Sequence, residues 1–598
     1  MDRAEEDVQA DEPGDGSAPP PAPTPLVPQN GSRTGSLWAA PRGTLRPLFR
    51  WTWSGDGGPE PTFEVEVDDS CTTPGFRDCA FPSPESRAGG VATTSWCPEA
   101  DLPVDRRAPV GRRYYWRVRA CRGALCSGWS PVRYADVGRV PGDFNGDGFS
   151  DVAVAAPGWS RVFLFLGGET PDVVPDLEMV GVATDLFMGA ALASPGDLDG
   201  DGFGELLISS PDAAGHGRIY LLRGGSPPDP APDRTLEGEG SDRHLGLALA
   251  GAGDVNADGF ADWLASRTPS DNPRSSPAEV LLFLGSPRTD IEPDLVLPED
   301  EPGTRLGQCV AGVGDVNGDG YADWVAGRPG RGLDEVPRTP AMLVLLGGPD
   351  PDAVVDFVLP THAAGMEPPH LAAAGGGDLD GDGLSDFVVA TVQYTTEYLR
   401  AASQLDVYLG AHTLADDPAL AIRHDAPEGF GFSGSLAGDV DGDGATELVV
   451  GSPAALGSAG AELAGRVEVF GRWTTGRFAA DTVLTLSEAT PDAALGHSVT
   501  ATTDINGDGF SDVVAGAPQL FNSGTGHAYV WFGGEGDMTR GPPDLVLSGM
   551  LFSDHFGKVV AGFQPPFGGP ESPSSRRASI APALQQRRSC TLGHGGGG

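Results

Sequence analysis

DLDGDGFGE, residues 197–205, decides the reading of this chain because it recurs. Six further copies stand at DFNGDGFSD from Asp143, DVNADGFAD from Asp254, DVNGDGYAD from Asp315, DLDGDGLSD from Asp378, DVDGDGATE from Asp439 and DINGDGFSD from Asp504. Successive starts lie 54, 57, 61, 63, 61 and 65 residues apart. That period gives each copy one supersecondary unit, so the chain is first of all a repeat array.

A hard cation such as Ca²⁺ takes roughly 6–8 oxygens, and alternate positions of a tight loop converge on one point. Position 1 is always Asp, position 3 Asp or Asn, position 5 Asp and position 9 Asp or Glu, while position 7 varies as a backbone-carbonyl donor would. Position 6 is glycine throughout, as a reversal at positive φ requires. The expected ligands are Asp143, Asn145, Asp147, Phe149 and Asp151 in loop one, and Asp197, Asp199, Asp201, Phe203 and Glu205 in loop two. Loop three supplies Asp254, Asn256, Asp258, Phe260 and Asp262, and loop four Asp315, Asn317, Asp319, Tyr321 and Asp323. Loop five offers Asp378, Asp380, Asp382, Leu384 and Asp386, loop six Asp439, Asp441, Asp443, Ala445 and Glu447, and loop seven Asp504, Asn506, Asp508, Phe510 and Asp512.

One such stretch alone reads equally well as an Asp/Gly turn. Seven copies, each with an acid at position 9, read as up to seven Ca²⁺ sites, and loop three, with Ala257 in place of glycine, is the first expected to stay empty. Without a cation the carboxylates of a loop would repel and raise one another's pKa. The loops hold 24 ionisable acids, and seven Ca²⁺ would take the formal charge from −45 to about −31, still a self-repelling surface.

The flanks exclude EF-hands, which need helices and a Glu at position 12. Strand-like runs follow the loops, among them VAVAAP (152–157), LLISSP (206–211), WVAGRP (324–329), LVVGSP (448–453) and VVAGAP (513–518). A second run ending in a glycine turn comes later, as in VFLFLGG (162–168) and AYVWFGG (528–534). Short strands with Gly/Pro punctuation predict antiparallel sheet, about four strands per unit.

Eight residues before each loop's first Asp stands a third element, Met188-Gly189, Leu245-Gly246, Leu306-Gly307, Phe430-Gly431 and Leu495-Gly496. His370 takes the glycine's place before loop five, and Ala135 before loop one. An eighth element opens at Phe556-Gly557, but Pro565 stands where the next Asp is due. The end of the array thus supplies the half-unit its beginning lacks, which is how a ring of blades closes without a long unpaired edge.

In these elements the array resembles the FG-GAP repeats of the integrin α-subunit head. The matching features are the Phe/Leu-Gly pair, the DxDxDGxxD loop and the close in Gly516-Ala517-Pro518 and Ala155-Ala156-Pro157. The resemblance implies an all-β fold, a seven-bladed β-propeller over residues 140–565, with metal loops on one face as scaffold and a protein or glycan partner on the opposite face. A loop in every unit departs from integrin heads, which carry them in some blades. No apolar run approaches the 18 residues of a membrane span.

Residues 37–139 form a separate module. FRWTW (49–53), FEVEVD (63–68), YYWRVRA (114–120) and WSPVRY (129–134) alternate as the strands of a β-sandwich do. The module resembles a fibronectin type III domain, with Trp51 or Trp53 as core tryptophan and Tyr114 or Tyr115 near a tyrosine-corner position. Cys121 and Cys126 bracket a hairpin turn with disulfide spacing, and Cys71 and Cys79 could pair likewise, leaving Cys97 unmatched. Such usage points outside the cytosol.

Residues 1–36 and 566–598 read as disordered, and no secretory leader is visible. One lysine, Lys558, among 39 basic residues points to a GC-rich, bacterial coding sequence. No GxSxG, HExxH or Walker pattern occurs, so no enzymatic activity is expected. The acidic surface disfavours nucleic acid. The expectation is a calcium-binding extracellular or cell-surface adhesion protein; the alternative is a carbohydrate-binding or accessory module of an exported enzyme complex.

Overall fold

The computed structural model describes residues 19–562 apart from 29–31, 35–44, 71–78, 139–141 and loop segments of the propeller, the longest being 331–339 and 393–402. Among the described residues the regular structure is β-strand, with two single 3₁₀ turns at Pro157–Trp159 and Ala213–Gly215. Seven four-stranded antiparallel sheets make up the propeller. In blade two, Leu192–Gly196, Glu205–Ser210, Arg218–Leu222 and Arg234–Glu237 lie side by side in chain order, and blades three to seven repeat that order. Blade one is closed differently. Its strands Val152–Ala156, Arg161–Phe165 and Leu177–Val180 come from the start of the array, while its innermost strand, Val559–Gly562, comes from the end. The register runs from Val152 opposite Gly562 to Ala155 opposite Val559.

Packing explains why these sequences form these strands. The second strand of a blade is buried along its whole length, as in Val152–Ala156 and Asp512–Ala517, and is correspondingly apolar on both faces. The fourth strands of blades one, three, four and seven bury one side chain each, Met179, Leu297, Leu359 and Leu547. The core lies between blades. Val162 and Leu164 of blade one pack with Leu206 and Ile208 of blade two, and the series ends where Val514 and Val530 of blade seven meet Val154 and Phe163 of blade one.

The glycine of the Phe/Leu-Gly pair sits where one blade touches the next. At Gly246, φ is +84° and an added Cβ would lie 2.8 Å from the Ser209 Cβ of the preceding blade. His370, in the same place before loop five, instead begins the longer strand His370–Gly377 and stacks on Phe432 at 4.7 Å.

Upstream, a three-stranded sheet (Thr24–Val27, Phe49–Thr52, Ser95–Trp96) faces a six-stranded one built on Thr62–Asp68, Arg112–Arg122 and Arg133–Val137. Phe49 and Trp51 of the first sheet share one core with Val65, Trp116 and Val118 of the second. Two sequence expectations are corrected here. Residues 1–36 are not wholly without structure, since Thr24–Val27 pairs with Phe49–Thr52 and Ser32–Thr34 pairs in parallel with Arg133–Val137. Proline-rich sequence can serve at a sheet edge, and the indole N–H of Trp53 donates to the Pro21 carbonyl at 3.1 Å. Cys97 is disulfide-bonded, as is Cys79, so it is not the unmatched cysteine; Cys71 lies outside the described residues. Cys121 and Cys126 are joined, with Cα atoms 4.0 Å apart. The expected tail, 566–598, also lies outside the described residues.

Up-and-down strand order sorts the connections onto two faces. Turns joining strands one to two and three to four lie on one face, and those joining two to three and four to the next blade lie on the other. Six of the seven acidic loops are of the first kind, and loop one, which leads into blade one's second strand Val152–Ala156, stands at the corresponding end of that strand.

Candidate metal centre

Each acidic loop is shaped by the carboxylates at its two ends. In loop one Asp143 accepts the N–H groups of Gly146 at 2.5 Å, Asp147 at 3.0 Å and Gly148 at 2.6 Å, which winds the loop around that side chain. Asp151, at position 9, accepts from Phe144 at 2.7 Å and, through its other oxygen, from Gly167 of the later glycine turn at 2.9 Å. The first of these bonds recurs in every blade, from Leu198 to Glu205, Val255 to Asp262, Val316 to Asp323, Leu379 to Asp386, Val440 to Glu447 and Ile505 to Asp512. Position 6 holds φ near +92° to +98° at Gly148, Gly202, Gly259, Gly320 and Gly383. Ala257, the expected weak point of loop three, adopts φ +56° and leaves the pattern intact, with Asp258 and Gly259 still bonded to Asp254 at 2.9 and 3.0 Å.

Positions 3, 5 and 7 come together in two styles. Where position 3 is Asn, its amide donates to the position 5 carboxylate, from Asn145 to Asp147, Asn256 to Asp258, Asn317 to Asp319 and Asn506 to Asp508, at 2.9–3.1 Å. Where it is Asp, carboxylates crowd. Oxygens of Asp197, Asp199 and Asp201 lie within 4.8 Å of one another, as do those of Asp378, Asp380 and Asp386, and those of Asp439, Asp441 and Glu447. The position 5 carboxylate also accepts the N–H of position 7, at Phe149, Phe203, Phe260, Tyr321, Leu384 and Phe510. Ala445 stands at position 7 of loop six, whose Asp443 lies outside the described residues.

Burial and mutual repulsion push these acids upward. Asp143, Asp201 and Asp315 rise to about 7, chiefly through burial and then through neighbouring aspartates. Burial likewise holds Asp151, Glu205, Asp262, Asp323, Asp386 and Asp512 well above the ordinary carboxylate range. Glu205 Oε1 is buried without a hydrogen-bond partner. An all-oxygen donor set with an orphaned buried acceptor fits a hard divalent cation, and such an ion would supply the positive charge that lets these acids ionise.

Two features of the loops escaped the sequence reading. Position 2 is apolar in every copy, and Phe144, Leu198, Val255, Val316, Leu379, Val440 and Ile505 are all buried as anchors. Position 7, expected to matter through its carbonyl alone, also packs its side chain on the preceding loop. An added Cβ at position 4 would meet it, 2.3 Å from Phe203 at Gly146, 2.6 Å from Phe260 at Gly200, 2.7 Å from Leu384 at Gly318 and 2.4 Å from Phe149 at Gly507. Backbone bonds join the same neighbours, such as Gly204 N–H to the Asp143 carbonyl at 2.8 Å and Ser150 N–H to that of Asp504 at 2.9 Å. Neighbouring loops interlock, including across the closure from blade seven to blade one.

Comparison with known proteins agrees with this geometry. The FG-GAP repeat family matches residues 430–467 and 495–531, and the FG-GAP-like repeat family matches 143–208. The chain is 30% identical over 213 residues to integrin alpha-PS2 of Drosophila melanogaster, covering 32% of this chain and 15% of that one. It is 27% identical over 194 residues to integrin alpha-5 of Xenopus laevis, 28% of this chain and 18% of the relative. With integrin alpha pat-2 of Caenorhabditis briggsae it shares 27% over 277 residues, 42% and 22% of the two chains. The chain thus spans less than a quarter of these relatives. The chain carries FG-GAP repeats at these positions, and its β-propeller is similar to those of the integrin α relatives it matches. No helix among the described residues is long and apolar enough to cross a membrane.

Proposed function

We propose that the protein is an extracellular adhesion or binding module whose propeller is stiffened by Ca²⁺ in the acidic loops and engages a protein partner on the opposite face. The observation that carries the partner surface is an apolar patch on that face. Trp159 is 50% exposed, Phe187 50%, Leu186 57% and Leu551 41%, on turns of the second kind from blades seven, one and two. These turns are tied together, with Gly158 N–H donating to the Asp554 carbonyl at 3.1 Å and the Ser160 hydroxyl to the Asp185 carbonyl at 2.6 Å. A rigid, exposed aromatic patch rimmed by polar residues is what a protein interface presents before it is filled. The disulfides support an oxidising compartment.

We also assign the upstream sandwich to the fibronectin type III class. Trp51 is buried in its core, and the Tyr114 hydroxyl donates to the Pro103 carbonyl upstream, as a tyrosine corner does.

The test is binding of the calcium-loaded chain to a panel of immobilised extracellular proteins and, in parallel, to a glycan array. Trp159→Ala with Phe187→Ala should abolish protein binding without altering melting temperature or bound calcium. Binding to glycans alone would replace this reading with the carbohydrate-binding one, and unchanged protein binding by the double variant would remove the patch from it.

A further inference from the structure

The sandwich rests on the acidic-loop face and spans four consecutive loops. Val110 N–H donates to the Gly200 carbonyl of loop two at 2.8 Å. Arg113 is bonded to Asp136 within the sandwich at 3.1 and 3.2 Å, and it also stands 3.5 Å from Asp254 of loop three and donates to the Gly320 carbonyl of loop four at 3.4 Å. Arg133 reaches loop five. A Cβ on Gly383 would lie 2.2–2.4 Å from the Nη2, Cζ and Nε atoms of Arg133, so the bare face of that glycine is what admits the guanidinium. The side chain is buried, and its charge acts on Asp378 and Asp382, positions 1 and 5 of the loop.

Loop five differs from loop two in a matching way. In loop two the position 5 acid, Asp201, belongs to the set of converging carboxylates; in loop five the converging set is Asp378, Asp380 and Asp386, and Asp382 stands outside it. Asp382 is one of the two acids on which the Arg133 charge acts.

We propose that Arg133 is a tethered competitor for the cation of loop five, so that filling this loop and seating the sandwich on the loop face oppose each other. This rests on the calcium reading given above. A divalent ion in loop five needs the oxygens of Asp378 and Asp382, and the buried guanidinium, packed on the adjoining Gly383, is attracted by the same two charges. Their like charges would share a buried pocket where solvent ions screen little. Coupling between two binding events is reciprocal, so calcium in loop five loosens the sandwich by the factor by which the docked sandwich weakens calcium. Loop five then becomes a weakened site of the ring, and its filling is reported to the module in front of it.

The experiment is calorimetric calcium titration of the chelator-stripped, full-length chain, with amide hydrogen exchange of strand Arg133–Val137 followed alongside. Arg133→Gln should tighten one site by about 5- to 150-fold, the usual range of such couplings, and the gain should vanish in the Asp382→Asn background. In the unmodified chain, exchange in Arg133–Val137 should rise as the site tightened by Arg133→Gln fills. Arg117→Gln separates this from a merely weakened sandwich, because Arg117 bonds Glu66 at 2.7 Å within that module, and it should leave every calcium site unchanged. Equal or weaker calcium binding in Arg133→Gln, or a gain that survives Asp382→Asn, overturns the proposal. Absence of calcium from all loops would instead overturn the functional reading, leaving the two failures distinct.

Discussion

The sandwich gathers Trp51, Tyr114 and Trp116 into one core, whereas the propeller divides its apolar interior among the gaps between seven blades. Their charges are arranged just as differently. In the sandwich, acids face arginines, with Arg117 against Glu66 at 2.7 Å and Arg119 against Glu64 at 2.6 Å, and both guanidiniums lie over Trp129. In the propeller loops acids gather with acids, and the arginines that reach them, such as Arg223 on Asp199 at 2.9 Å and Arg113 beside Asp254 at 3.5 Å, answer only part of that charge. The first module carries its own counter-charges; the second must import most of them. The largest consequence is that chelation should unfold one and spare the other. Ligand at ten times its dissociation constant adds about 1.4 kcal/mol per site, hence roughly 10 kcal/mol over seven filled loops. Calorimetric melting with EDTA should show the propeller transition fall steeply and that of the sandwich hold, with millimolar Ca²⁺ restoring the first and Mg²⁺ doing so poorly. A common shift of both transitions would break the comparison.

A smaller effect separates scaffold from ligand within one loop. Asp323 holds the buried Val316 N–H at 2.9 Å and the half-buried Gly347 N–H at 2.8 Å. Asp323→Ala orphans one buried and one half-buried donor, and about 2–4 kcal/mol should be lost even in EDTA. If the loss disappears in EDTA, the residue serves the metal alone.

What was legible in the chain follows from the same division. The repeat pattern is local, so blade number, strand order and the closure through Val559–Gly562 could be read from spacing and from the surplus half-unit at Phe556-Gly557. Position 2 was legible too, since it is apolar in all seven copies. Arg113 and Arg133 were not, because the loops they touch lie more than 100 residues away and no local pattern marks the encounter. The strands in 24–34 were missed because proline-rich composition argues against burial, and the edge that accepts them exists only after Phe49–Thr52 and Arg133–Val137 have formed.

Acid should distinguish the modules as well. Burial, helped by Lys558, pushes His497 down to about 4, and its ring lies against Phe432 at 4.9 Å and bonds the Lys558 carbonyl at 3.0 Å. The folded state disfavours the charged imidazole, so the unfolded chain binds the extra proton first. Stability is whole above pH of about 6.5 and is lost as pH falls toward about 4. The loss should reach up to about 3 kcal/mol at 1.36 kcal/mol per unit. His497→Gln should flatten this slope in chemical denaturation of the calcium-saturated chain; an unchanged slope assigns it to the loop carboxylates instead.

Removing the Cys121–Cys126 link acts on the sandwich alone. A loop this short contributes about 2 kcal/mol by restricting the unfolded chain. Cys121→Ser with Cys126→Ser should lower the sandwich transition by that amount and leave the calcium-dependent one in place. Movement of both would mean that the docked modules unfold together.

The smallest effect is also the most discriminating for the ring. Phe203 is half-buried, and its ring occupies the space over Gly146 of the preceding loop. Truncation of a fully buried Phe costs about 3–5 kcal/mol, so Phe203→Ala should cost about 1. Its backbone carbonyl, the expected ligand in loop two, is retained. If position 7 acted through that carbonyl alone, calcium binding would be unaffected. With the loops interlocked, the variant should weaken calcium in loop one, where it removes no ligand, while Phe203→Leu should restore most of the affinity. Site-resolved titration in an Asp201→Asn background, with loop two disabled, reads loop one directly. An unchanged loop one there would mean that the seven sites are independent, and that the propeller is a ring of sheets without being a ring of coupled ions.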